Sequence, residues 1–190
     1  MTASHAIKIL AIYKFVDQPD FETLKAPLGE FCCGRGIKGT LLVAPEGING
    51  TVAGTPGAID ELVGWLSDGN VFGGRFRGAE IKYSFAESQP FYRMKVRLKS
   101  EIVTLRAPEA NPGRQVGTYV EPEDWNDLID RDDVIVIDTR NDYEVALGTF
   151  RNAKDPHTTS FTEFKDYVSE TLDPQKHKKV AMFCTGGIRC

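Results

Sequence analysis

The sequence predicts two domains of different class, a small α+β domain followed by an α/β domain built on a parallel sheet. Three observations carry that prediction. Strand and helix patterns over residues 7–99 follow the order β-α-β-β-α-β. Residues 134–138 and 180–184 are short, nearly continuous apolar runs, the signature of strands buried on both faces of a parallel sheet. The charge also reverses along the chain: residues 75–114 hold nine basic side chains against four acidic ones, and residues 115–144 set two arginines against ten carboxylates. Pro108, Pro112 and Gly113 precede the reversal in a polar stretch with a connector's composition. The domains are therefore placed at 1–106 and 117–190, with a linker at 107–116.

Residues 7–15 alternate Ile7, Ile9, Ala11, Tyr13 and Phe15 on one side with Lys8 and Lys14 near the ends of the other, a strand pattern. A helix follows from Pro19, with Phe21, Leu24, Leu28 and Phe31 at helical spacing and a stop at Gly34; Pro27 is expected to bend or interrupt it. Strands at 37–43 and 50–54 flank the turn-rich segment 44–49 and read as a hairpin. Thr55 as N-cap and Pro56 at the first helical position open a second helix, whose Ile59, Leu62, Val63 and Leu66 form one stripe. Further strands at 80–85 and 91–99 complete the order of the ferredoxin-like fold, which by itself assigns no chemistry.

The strand at 91–99 carries the functional signal of this half. Alternation places Arg93, Lys95, Arg97 and Lys99 on one side and Met94, Val96 and Leu98 on the other. The row is about 20 Å long and contains no acid, so it suits a nucleic-acid backbone, with Phe91 on the same face to stack a base. The competing reading is the solvated face of a half-buried strand.

In the second half, Pro122 opens a helix bearing Trp125, Leu128 and Ile129, and Ser160-x-x-Glu163 reads as a capping box before Phe164, Tyr167, Val168 and Leu172. Cys184 falls at the carboxyl end of a parallel strand, where α/β sheets place their ligands, and Gly186 and Gly187 follow it. A loop wrapped around a sulfur aims several backbone N–H groups at it, and with Arg189 nearby these stabilise a thiolate or persulfide anion. A cysteine nucleophile needs that lowered pKa at neutral pH. The alternative is an inert thiol at a strand end.

Cys184-x-x-x-x-Arg189 with its two glycines resembles the active loop of the rhodanese family, and Asp138-Thr139-Arg140, Glu144 and Gly148 to Ala153 look like its Asp-x-Arg strand end and following segment. Related phosphatases place the arginine one position later around a phosphate, so the shorter loop favours sulfur. Together with Gly39-Thr40-Leu41-Leu42 and Glu46-Gly47-Ile48-Asn49-Gly50-Thr51 in the front domain, the chain resembles the rhodanese-related bacterial tRNA uridine hydroxylases over nearly its whole length. The resemblance implies oxygen-dependent 5-hydroxylation of the wobble uridine, tRNA as partner, molecular oxygen as co-substrate and Cys184 as the catalytic, persulfide-type cysteine. Thr185, Gly186, Gly187, Ile188 and Arg189 form the active loop. Asp138 and Arg140 support it by pinning the strand end. Arg189 serves either loop architecture or substrate charge. Cys190 is expected to face a following helix, the alternative being resolution of an oxidised Cys184. Two rival functions stay open: a sulfurtransferase carrying a persulfide on Cys184, and a non-enzymatic RNA-binding or redox-sensing module.

The remaining sequence mostly excludes. The 190 residues, 41% hydrophobic with a net charge of -4, have an ordinary globular composition. No apolar run approaches the ~20 residues of a membrane span, and the N-terminus lacks a signal peptide's pattern, so a cytoplasmic location is expected. Cys32, Cys33, Cys184 and Cys190 read as reduced thiols, the first two as core or near-surface residues. His5, His157 and His177 show no metal-site spacing, and no dinucleotide loop is visible, so neither a metal nor a bound cofactor is expected. Oligomeric state is not legible. Because the second domain runs only to Cys190, within its own active loop, the chain reads as C-terminally truncated. It is expected to bind RNA through its front domain, to have little activity, and to hold the 184–190 loop in poor order.

Overall fold

The computed structural model describes residues 6–107, 109–110 and 112–190. Pro108, used in placing the linker, and His5 lie outside the described residues. Two units divide between Ile102 and Val103, each built on its own sheet.

The first unit contains β1 (Ile7–Phe15), α1 (Lys25–Gly34), β2 (Lys38–Ala44), β3 (Gly47–Gly54), α2 (Pro56–Ser67), β4 (Glu80–Ala86) and β5 (Met94–Leu98). Its sheet runs β4-β1-β3-β2-β5. Each neighbouring pair among β4, β1, β3 and β2 is antiparallel, in the ferredoxin-like order, and β5 is added parallel to β2. Both helices cover one face: Leu10 and Ile12 of β1, Leu41 and Val43 of β2, and Ile48 and Val52 of β3 are buried with Leu28 and Cys32 of α1 and Ile59, Leu62 and Leu66 of α2. Each such side chain contributes about 1.5–3 kcal/mol of burial. Phe31 stacks on Trp65 at 4.1 Å, locking the helices together.

Several local details differ from the sequence reading. In β1 the core takes the even-numbered side, because that is where the helices lie; Lys8 and Lys14 at its ends reach Asp60 and the carbonyl of Arg77. Pro27 is the third residue of α1, where an N–H has no intrahelical acceptor, so it causes no break; a 3-10 turn at Phe21–Leu24 precedes it. Thr55 caps α2 as expected, its Oγ1 accepting from the Ala58 N–H at 3.3 Å. The hairpin turn is only Pro45 and Glu46, since Gly47, Ile48 and Asn49 already pair. The basic strand is shorter than 91–99. β4 and β5 lie at opposite edges, so the chain uses 87–93 to cross the sheet, and the Phe91 N–H bonds to Gln89 Oε1 instead of a strand.

The hairpin is held at unusually close range. A Cβ on Gly39 would run into the Thr51 carbonyl oxygen, and one on Gly50 into that of Thr40; Gly39 also has φ +134°. Glu46 Oε1 accepts from the Ile102 N–H at 2.6 Å and Asn49 Nδ2 donates to the Ile102 carbonyl at 2.8 Å, fixing the end of the unit.

The second unit contains α3 (Pro122–Ile129), β6 (Ile135–Asp138), α4 (Asp142–Val145), α5 (Phe164–Thr171) and β7 (Val180–Phe183). β6 and β7 are parallel, with Ile135 opposite Val180 and Asp138 opposite Phe183, and Ile137 bridges Lys154 on its other side. β6 is buried, but β7 exposes Val180 (38%) and Met182 (37%) because it pairs only with β6 among the described residues, so the expectation of burial on both faces fails there. The capping interaction at Ser160 is shifted by one: Glu163 accepts from the Thr159 N–H at 2.9 Å. No helix among the described residues is long and apolar enough to cross a membrane.

Candidate active site

The parallel pairing of β6 and β7 brings Asp138 and Phe183 side by side, so both strands deliver their following loops to one end of the sheet. Phe183 packs edge-on against Phe150 at 4.8 Å and beside Trp125 at 6.0 Å, giving the strand end an aromatic base.

Asp138 is fully buried. Its Oδ1 accepts from Arg140 N (3.1 Å) and Nε (2.9 Å), and its Oδ2 from Arg140 Nη2 (2.7 Å) and Thr149 Oγ1 (2.8 Å). Burial acts to raise its pKa, but the bonds from Arg140 and Thr149 outweigh it and hold the carboxyl below its ordinary value. Arg140 Nη2 also donates to the Gly148 carbonyl at 2.6 Å. The pair ties the end of β6 to the 148–149 turn.

Glu144 organises the cysteine loop. Arg189 donates to it through both terminal nitrogens at 2.7 and 2.8 Å, Thr185 Oγ1 at 2.6 Å and the Asn141 N–H at 3.2 Å. The Glu144 and Arg189 side chains are each 14% exposed. The Arg189 bonds, against burial and with help from Thr185 and Asn141, bring the Glu144 pKa down to about 2. Arg189 therefore braces the loop. Sequence reading grouped Glu144 with the family motif but gave it no role; its signal was the acid four residues beyond Arg140.

Cys184 Sγ is half-buried inside this frame and accepts the Gly187 N–H at 2.9 Å. Gly187 has φ +86°, a conformation that suits glycine and turns its amide inward. The Cys190 thiol donates to Cys184, and this is the largest influence on it; burial opposes, and the N–H groups of Arg189, Gly186 and Gly187 add to the effect. Together they lower the Cys184 pKa to about 5, so it is a thiolate at neutral pH. Cys190 is shifted upward because its proton is held by that bond, and its Sγ lies 3.6 Å from Thr139 Oγ1. The loop is thus tied at Thr185, Gly187, Arg189 and Cys190. Such an arrangement can present a nucleophilic thiolate or carry a sulfur anion.

Among the described residues no group of three or more His, Cys, Asp or Glu is placed to hold a metal ion. Cys32 is buried in the first unit's core, and burial pushes its thiol up to about 12; Cys33 is exposed.

In the first unit, Lys95 and Arg97 project from β5 on the side opposite Met94, Val96 and Leu98, which pack on the core. Arg93 and Lys99 lie just outside the strand, yet the Arg93 carbonyl accepts from Gly39 N–H (3.1 Å) and the Lys99 N–H donates to Val43 O (2.9 Å), so the extended path continues through both. Phe91 departs from this row and is half-buried. The neighbouring Tyr92 is 93% exposed.

Residues 7–102 match the UPF0176 acylphosphatase-like domain. A Coxiella burnetii acylphosphatase structure aligns with 51% of this chain and 100% of its own, at 14% identity and a TM-score of 0.35. Proteins of Nitrobacter hamburgensis and Bradyrhizobium diazoefficiens are each 55% identical to the chain, over 97% and 96% of it respectively and 72% of their own length. Both carry the name tRNA uridine(34) hydroxylase. With identity at this level across both units, the chain belongs to the tRNA uridine(34) hydroxylase family.

Proposed function

We propose that the protein is a tRNA-modifying enzyme that hydroxylates carbon 5 of uridine 34, the wobble position, using molecular oxygen as co-substrate in the cytoplasm. The observation that carries this reading is 55% identity over 97% of the chain to a protein of that name. In this reading the second unit is a rhodanese-like domain and Cys184 its catalytic residue. Support comes from the Asp138–Arg140 pair ending β6 and from the seven-residue loop that gathers three backbone N–H groups and a thiol around one sulfur. Arg93, Lys95, Arg97 and Lys99 hold the RNA backbone from the first unit.

The test is complementation in a bacterial strain lacking its own hydroxylase, with tRNA nucleosides measured by mass spectrometry. The unaltered gene should restore 5-hydroxyuridine at position 34 and Cys184→Ala should leave it absent. Full restoration by Cys184→Ala would remove the cysteine from the mechanism. Thiocyanate formation from thiosulfate and cyanide, with no gain of the modified nucleoside, would replace hydroxylation by sulfur transfer.

A further inference from the structure

The two faces of the first unit's sheet treat their positive charges differently. On the helix side Lys8 pairs with Asp60, Arg35 with Glu61 and Arg75 with Asp20, and Lys14 donates to the Arg77 carbonyl. On the helix-free side, register places Lys82, Ala11, Thr51, Thr40 and Lys95 in one rung across all five strands. The next rung ends at Arg97, and Lys38 stands one rung to the other side. None of these four cations forms an ion pair with a described residue. The one carboxylate in these rungs is Glu80, beside Tyr13 at the β4 edge.

The shape fits a narrow anionic ligand. Four strand spacings separate Lys82 from Lys95, roughly 19 Å. The floor between them is low, with Ala11 and two threonines whose hydroxyls can bond to phosphate or a ribose 2′-OH; Thr51 is exposed. Each end of the lane is occupied by the chain itself. Gln89 Nε2 donates to the carbonyl of fully buried Ala53 at 3.0 Å, and Asn49 holds the buried Ile102. At the Lys38 corner the Gly39 N–H bonds to Arg93 O, so the extended path that carries Lys95 and Arg97 continues there. A narrow lane of hydroxyls between two rows of cations suits a single RNA strand, whose phosphates meet lysine and arginine at both sides.

We propose that this helix-free face is a single-strand RNA platform: an unpaired segment of the tRNA substrate crosses it from Lys82 on β4 to Lys95 and Arg97 on β5, over the Thr51–Thr40 floor. The proposal rests on tRNA being the substrate and extends the contact from one edge strand to the whole sheet.

The experiment is fluorescence anisotropy with the full chain, using a labelled anticodon stem-loop RNA and a labelled duplex of the same stem without its loop. Lys82→Gln, four strands away from the β5 row, should weaken stem-loop binding about threefold to tenfold. It should also reduce the slope of log affinity against log salt by about 0.7. Thr51→Glu should weaken binding more than Lys82→Gln, and Thr51→Lys, which guards against a folding artefact, should strengthen it. Lys178→Gln in the second unit should change nothing. Wild-type binding that neither Lys82→Gln nor the two Thr51 variants alter would overturn the platform and leave tRNA as substrate. Equal affinity for the duplex would overturn its single-strand character. Failure of the wild type to bind either RNA would instead strike the functional reading on which the platform stands.

Discussion

Replacing Cys190 with alanine tests the chemistry of the loop most directly. The Cys190 thiol is the largest single influence lowering the Cys184 pKa from 9.0 to about 5. A hydrogen bond to a charged group is worth about 1.5–3 kcal/mol, which corresponds to about one to two pKa units. The remaining N–H donors of Arg189, Gly186 and Gly187 stay in place, so Cys190→Ala should move the Cys184 midpoint from about 5 to roughly 6–7 and not back to 9.0. At pH 5.5 the ionised fraction then falls roughly threefold to twenty-fivefold. The assay is the rate of iodoacetamide alkylation of Cys184 against pH, followed on its own peptide by mass spectrometry to separate it from exposed Cys33. A wild-type midpoint near 9 would refute the thiolate cradle. An unmoved midpoint in Cys190→Ala would refute the assignment of the dominant donor.

Three further outcomes follow from the geometry. Glu144→Gln should destabilise the second unit by about 3 kcal/mol in urea unfolding, because it leaves Arg189 without its buried partner. Glu144 is depressed from 4.5 to about 2, so its stabilisation is full above pH 4.5 and lost as pH falls through about 2; the wild-type minus Glu144→Gln difference should shrink over that window. Asp138→Ala strands Arg140 and frees Thr149, and should cost about 3–5 kcal/mol by the same measurement. Gly50→Ala drives a methyl group into the Thr40 carbonyl across the hairpin and should destabilise the first unit by about 3 kcal/mol, visible as a lowered first melting transition.

Much of this architecture was legible where a local rule coincides with the tertiary outcome. Thr55-Pro56 caps α2 because the cap is made within four residues. The apolar runs at 134–138 and 180–184 became the parallel pair β6 and β7, which puts Cys184 at a strand end. Three features were hidden because they depend on distant neighbours. The buried side of β1 could not be chosen, since Ile9 and Leu10 are equally apolar and only the position of the helices decides. The true length of the basic strand depended on β4 and β5 lying at opposite edges, which consumes 87–93 in a crossing. The local sequence does not fix the role of Arg189, because its partner Glu144 lies 45 positions away. The glycines in the 39–51 motifs were visible as residues but not as cause: they permit the backbone approach within the hairpin.

The placement of charge constrains what each unit can bind. In the cysteine loop both terminal nitrogens of Arg189 bond to Glu144, and its guanidinium also meets the Cys184 sulfur, which the backbone N–H groups and the Cys190 thiol hold as well. Residues 103–190 also carry sixteen acidic side chains against eleven basic ones, which disfavours a polyanion. On the helix-free side of the first unit's sheet, Lys38, Lys82, Lys95 and Arg97 surround uncharged floor residues with no ion-pair partner among the described residues. On the proposed function, backbone attraction and base chemistry fall to different units. Raising salt should accordingly weaken RNA binding while leaving the pH midpoint of Cys184 alkylation where it is, because the half-buried thiolate is held by short-range donors that ions do not screen.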